Sequence, residues 1–272
     1  MTTPARESSS DSESSSDRAH SFNKAAAQYA AARPPYPAAL FDAVEELAGR
    51  SLAGARTADV GAGTGIATAV LRERGAAVLA IEPGDGMAAQ FRLTLPDLPV
   101  VRGDGNALPL ADASHDLLTY AQSWHWTDTE RSVPEARRVL RPGGALAIWW
   151  NTSALDVPWI FAQHERVARA TGGKPPSADR PADSVAVRLV GLSDRPDFDV
   201  TRRRIRWSRT VPLDLHLANI GSHSAFLVLG EERTRAFLDS ERAHLREALA
   251  GTGSDEWVEE AYVVDLLVAV AR

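Results

Sequence analysis

The chain has 272 residues, 44% of them hydrophobic, with no cysteine, a net charge of −6 and an isoelectric point near 5.7. That supplies enough apolar material for a full core, whereas the acidic balance offers no field to gather nucleic acid or an anionic membrane. The lack of cysteine removes disulfides, thiol nucleophiles and Cys-bound zinc, so small-molecule chemistry in the cytoplasm is the expectation.

No run of about 18 apolar residues occurs and no secretory signal is recognisable, which implies a soluble, untargeted protein. Residues 8–17 are almost all Ser, Asp and Glu, which cannot bury apolar area. We therefore expect a disordered tail over 1–20 and a single domain over 21–272. The alanine-rich stretch after Phe22 predicts a helix that stops before Pro34, with Tyr29 and Arg33 one turn apart on one face. Leu40, Phe41, Val44 and Leu47 fall at helical spacing over 37–49 and predict a core helix closed by Gly49.

The stretch Thr57, Ala58, Asp59, Val60, Gly61, Ala62, Gly63, Thr64, Gly65 reads as a strand ending in a tight turn, and residues 66–74 read as the helix after it. Alternating glycines permit positive φ and let a ligand lie against bare main chain. The dinucleotide fingerprint G-x-G-x-x-G would need glycine where Ile66 stands, so that pattern is missed. Residues 76–81 predict a second parallel strand ending in Glu82, near the spacing at which a strand-end carboxylate meets a ribose diol. A helix over 87–95, a strand over 99–102 and a strand over 114–120 follow. Ala121, Gln122, Ser123, Trp124, His125 and Trp126 then extend beyond a carboxyl strand end, where open parallel sheets bind ligands. Asp128 can cap a helix running to Leu140, and Arg141, Pro142, Gly143 and Gly144 turn into a fifth strand over 145–150.

After Asn151 the alternation breaks, with a helix around 159–170 and a Gly, Pro and Ser-rich loop around 172–181. A basic strand over 200–211 reads as a charged sheet edge. His216 and His223 fall in the loop and helix region that follows, within possible reach of a pocket. A charged surface helix over 231–249 and a strand over 259–271 complete the chain.

The acid followed by G-x-G-x-G resembles the first motif of class I S-adenosylmethionine-dependent methyltransferases. Tyr29, Arg33, Pro34, Tyr36 and Pro37, Glu82-Pro83 with Met87, Gly103-Asp104, and His125-Trp126 with Asp128 are similar to segments of the trans-aconitate methyltransferase-like branch. The likeness covers about 22–151 well and the remainder loosely. It implies an α/β fold, a doubly wound seven-stranded sheet with its last strand antiparallel, an N-terminal lid helix, and an acceptor-pocket insertion over about 154–200. It implies S-adenosyl-L-methionine as cofactor, held by Tyr29, Arg33, Asp59, Gly61, Gly63, Glu82, Met87, Asp104, Gly105 and Gln122. Asp104 would accept from the adenine amine, Met87 would pack on its ring, and His125 would be the general base. Gly105 and Asn106 depart from the branch's pattern. The expected partner is a small-molecule acceptor, most readily a carboxylate or hydroxyl oxygen, with no metal and a monomeric or homodimeric state. The alternatives are a nitrogen or carbon acceptor, a macromolecular substrate, and a binding protein without turnover.

Overall fold

The computed structural model describes residues 33–176, 191–192, 195–250 and 256–272. The tail and the lid helix with Tyr29 therefore lie outside the described residues, as does much of the Gly, Pro and Ser-rich loop.

The sheet contains β1 (Arg56–Val60), β2 (Ala77–Ile81), β3 (Val100–Val101), β4 (His115–Ala121), β5 (Leu140–Ser153), β6 (Phe198–Pro212) and β7 (Trp257–Ala271) in the order β3-β2-β1-β4-β5-β7-β6. Strands β1 to β5 pair in parallel, and β7 is antiparallel to both β5 and β6. The helices are α1 (Ala38–Ala48), α2 (Ile66–Glu73), α3 (Asp85–Thr94), α4 (Thr129–Val139), α5 (Pro158–Thr171), α6 (Leu213–Gly221), α7 (Ser224–Leu229) and α8 (Glu231–Leu249). This is the doubly wound α/β sheet that the sequence predicts.

Period-two alternation sends neighbouring residues of the buried strands to opposite faces. Leu117, Ala147 and Trp149 pack with Leu40, Phe41, Val44 and Leu71 of α1 and α2. Leu118, Leu146 and Ile148 pack on the other face with Val133, Ala136 and Val139 of α4. Phe91 of α3 joins a smaller cluster with Ala62 and Ala80 beneath the glycine turn. Most boundaries fall within two residues of expectation, and two strands depart in a way that has a physical reason. The third strand is only two residues long, and the fifth begins at Leu140 because the Arg141–Gly144 turn is a bulge: Leu140 pairs His115 and Ala145 pairs Leu117.

Beyond the parallel strands, β6 and β7 continue as a ribbon from Phe198 opposite Ala271 to Pro212 opposite Trp257. Its far end carries α6, α7 and α8, whose apolar faces form a separate cluster around Leu217, Ile220, Phe226 and Leu245. Trp159 and Val167 of α5 pack against it. No described helix is long and apolar enough to cross a membrane.

Candidate active site

The carboxyl ends of β1, β2 and β4 meet around a cleft of about 510 Å³, within the range of small-molecule sites. A depression of about 550 Å³ lies at the opposite end, lined by strand-opening residues such as Arg56 and His115, and has neither a glycine turn nor strand-end carboxylates.

The cleft's floor is the turn after β1. Gly61, Gly63 and Gly65 have φ of 70°, 58° and 93°. A Cβ on Gly61 would stand 2.5 Å from that of Ser123, and one on Gly65 would stand 2.6 Å from Leu95 Cδ1. One on Gly63 would meet nothing within 4 Å. Gly61 and Gly65 thus serve close packing, while Gly63 leaves main chain bare toward the cleft.

Glu82 follows β2 and is 6% exposed. Its Oε2 accepts from the Gly63 amide at 2.8 Å and its Oε1 from the Gly84 amide at 2.7 Å, so one carboxylate ties the glycine turn to the start of α3. Asp104, past β3, is exposed at the rim; its Oδ1 accepts from the Asn106 amide at 2.6 Å. Met87 and Gly105 line the same cleft, and a Cβ on Gly105 would meet Thr127 Cγ2 at 2.8 Å and Tyr120 Cε1 at 3.0 Å. Gln122 closes β4 with φ of 60°, a conformation costly for a side chain with a Cβ and common at functional sites. Its amide N–H donates to the Trp149 carbonyl at 2.9 Å, which holds it there, and its side chain donates to the Asn151 carbonyl at 3.1 Å.

Two polar atoms on cleft-lining residues, Thr64 Oγ1 and Tyr120 Oη, are buried without a hydrogen-bond partner among the described residues. Each leaves about 1–3 kcal/mol of desolvation uncompensated unless a bound group supplies a partner. Burial drives the Tyr120 phenol far above its ordinary pKa, so it stays protonated.

Residues 58–148 match the family described as a methyltransferase domain. An uncharacterized methyltransferase of Mycobacterium tuberculosis (strain ATCC 25618 / H37Rv) is 39% identical over 192 residues, covering 71% of this chain and 72% of that protein. The chain belongs to the class I S-adenosylmethionine-dependent methyltransferases. The demethylmenaquinone methyltransferase of Corynebacterium kroppenstedtii is 36% identical to this methyltransferase over 178 residues, covering 63% of this chain and 76% of that one. A solved structure from Anaeromyxobacter dehalogenans, provisionally described as a type II methyltransferase, superposes with a TM-score of 0.62 at 26% identity, covering 88% of this chain and 97% of that chain. Such folds generally bind S-adenosylmethionine; a Haemonchus contortus phosphoethanolamine N-methyltransferase with a TM-score of 0.53, 14% identical and matched over 94% of this chain and 58% of its own length, was solved with S-adenosylhomocysteine.

Of the residues expected in the methyltransferase's site, Gly61, Gly63, Glu82, Met87, Asp104, Gly105 and Gln122 converge on the cleft. Asp59 does not. It is fully buried, and Thr68 and Thr119 donate to its two carboxylate oxygens at 2.6 and 2.8 Å. It locks the first turn of α2 and the middle of β4 to β1, and burial outweighs those two hydrogen bonds to raise its pKa. His125 is exposed and lies outside the lining; its ring is 4.8 Å from that of Trp126, and its Nδ1 accepts a long 3.4 Å hydrogen bond from Trp150 Nε1. Arg33 is placed near His223, whose imidazole it helps keep uncharged, and is not part of the lining. Sequence reasoning passed over Ser123, which donates to the Val60 carbonyl at 2.6 Å and fills the space beside Gly61. It also passed over Tyr36, which faces the cleft although it sits in the predicted lid segment.

Proposed function

We propose that the enzyme transfers the methyl group of S-adenosylmethionine to an oxygen of a small metabolite or natural product. The observation that carries this reading is the Glu82 carboxylate, fixed at a strand end by two amides of flanking turns and facing a cleft floored by bare glycine main chain. A carboxylate so placed suits the two hydroxyls of a ribose. Asp104 would accept from the adenine amine, Met87 would pack on the base, and the main chain from Gly61 to Gly63 would carry the amino-acid moiety.

Bound there, the cofactor supplies an electrophilic methyl group on a sulfonium. The chain's own contribution is to orient and to dry the site. Glu82 and Asp104 fix the two ends of the adenosine, and Gln122 and Ser123 shape the wall on the side of β4. Trp126, 81% exposed at the rim, is positioned to exclude water once covered. Holding two reactants in line is worth on the order of 7–11 kcal/mol, so no covalent intermediate is needed. A carboxylate acceptor, the substrate class of the trans-aconitate-like branch, needs no base because it is already ionised; a hydroxyl acceptor does need one. The absence of a global basic field favours a small acceptor over nucleic acid.

Titration calorimetry with S-adenosylmethionine tests the cofactor site. Glu82→Ala should weaken binding at least tenfold, and unchanged affinity would remove the basis of the assignment. Turnover of a labelled methyl group onto panels of carboxylic acids, hydroxylated aromatics, RNA and protein tests the acceptor, and label confined to macromolecules would overturn it.

A further inference from the structure

A third, smaller cavity of about 110 Å³ opens where α5, α6 and the first residues of β7 meet. Its lining includes Trp159, His164, His216, Asn219, His223 and Tyr262. Its size is close to the roughly 150 Å³ that accepts a single benzene ring.

The polar groups around it are not equivalent. His216 is fully engaged: its Nδ1 meets Glu260 Oε1 at 2.7 Å, and its Nε2 meets Gln163 Nε2 at 2.9 Å. Gln163 Nε2 also donates to Glu241 Oε1, so His216 Nε2 is the acceptor and Nδ1 carries the proton to Glu260. Glu260, 2% exposed, further accepts from Arg209 and Tyr262; burial alone would raise its pKa, but these three partners hold it down and keep it ionised. The imidazole rings of His164 and His223, by contrast, make no hydrogen bond among the described residues, and burial lowers the pKa of both, to about 4 for His223. A further wall residue, Asn219, is 7% exposed, and its Oδ1 is buried with no donor among the described residues.

A chain of contacts links the cavity to the cofactor cleft. Gln122 donates to the Asn151 carbonyl, Trp207 Nε1 donates to Asn151 Oδ1 at 3.0 Å, and the Trp207 ring stacks at 4.9 Å on Tyr262 of the cavity wall. Along the chain, Arg33 acts on His223 while Tyr36 faces the cleft, and three residues span at most about 11 Å.

We propose that this cavity receives a neutral, hydroxyl-bearing ring of the acceptor, a phenol or an enol, whose O–H donates to Asn219 Oδ1. This rests on the methyl-transfer reading above and adds to it that the acceptor carries a hydroxyl-bearing ring, whichever oxygen takes the methyl group. An unpaired carbonyl oxygen asks for a donor and repels an anion. Glu260 is balanced by Arg209 at 2.6 Å, so the preference for a donor rests on Asn219 Oδ1, and two uncharged imidazoles add acceptors for a second hydroxyl. Trp159 and Tyr262 supply the flat walls a ring needs. Asn219 is on this account a specificity determinant.

The test uses phenol and benzoate as probes on the full-length protein, with the histidine ring nitrogens followed by NMR. Phenol should shift the His164 and His223 resonances and leave exposed His244 unmoved, and benzoate at the same concentration should shift none of them. Asn219→Leu should weaken phenol binding about tenfold while S-adenosylmethionine affinity, read by calorimetry on the same samples, stays within twofold. Benzoate shifts as large as those of phenol, no phenol shift at all, or equal phenol affinity in Asn219→Leu would each overturn the proposal. The contrast between the two probes in the unaltered protein decides the matter even if the variant does not fold. Loss of cofactor binding by the unaltered protein would instead sink the methyl-transfer reading alone.

Discussion

Gly61 and Gly63 share a sign of φ and differ in what surrounds them. Alanine at either costs about 1–2 kcal/mol for the left-handed conformation. At Gly61 the new methyl also collides with Ser123, so Gly61→Ala should lower stability and cofactor affinity together. At Gly63 the methyl projects into open space, so Gly63→Ala should lose affinity at least as strongly with a smaller fall in melting temperature. Calorimetric binding alongside thermal melts separates the two, and parallel losses in both variants would contradict the division of roles. Asp59 and Glu82 form a second contrast. Asp59→Ala strands the Thr68 and Thr119 hydroxyls in the core, about 1–3 kcal/mol each, so a melting loss of several degrees should dominate over any direct effect on binding. The spacing from the glycine turn to Glu82 is legible in sequence because both ends lie within one βαβ unit. The enclosure of Asp59 is not, because one of its two donors sits sixty residues away on β4.

At the level of elements, α8 shows where charge misleads. Its composition reads as a solvated surface helix, yet Glu241 is 1% exposed and accepts two 2.6 Å hydrogen bonds from Arg166. Breaking such a pair leaves a buried charge unmatched, so Arg166→Ala should cost about 3–5 kcal/mol by denaturant titration; a change below 1 kcal/mol would mean that water reaches Glu241. The edge strand β6 behaves as its sequence suggests, since Arg203, Arg204 and Arg206 find Glu46, Asp265 and Asp156 on neighbouring elements. These exposed pairs contribute little each. His223, which precedes α7, adds a pH dependence. Its folded pKa of about 4 lies below the ordinary 6.5, so between those values the unfolded chain binds the extra proton. Stability therefore falls as pH drops from about 6.5 to about 4. His223→Gln should flatten that part of a melting-temperature profile, and identical slopes in the two proteins would contradict the burial of a neutral imidazole.

Across the whole molecule, the doubly wound half was readable because each strand and helix there announces itself by its own periodicity and turn residues. In the region that holds α5 to α8, the helices at 159–170 and 231–249 were readable too, but α6, α7 and the way the four pack were not, because that order comes from long-range partners: Gln163 with His216, Arg166 with Glu241, and His216 with Glu260. Those bonds, together with the continuous β6–β7 ribbon, couple this region to the sheet. Calorimetric unfolding should accordingly show one transition, and Arg166→Ala should shift it whole; a split into two peaks would show that the region melts independently.

The ribbon also limits how such enzymes can be recombined. Val258, Glu260, Tyr262 and Val264 face inward while the residues between them are more open, so position along β7 is counted in twos. A graft that exchanges the α6–α8 segment with that of a relative can lengthen both arms by two residues and keep every side chain on its proper side. Removing a single residue before Glu260 would rotate that carboxylate outward, deprive His216 of its hydrogen-bond acceptor and Arg209 of its counter-charge, and turn an exchange of substrate preference into a misfolded chimera.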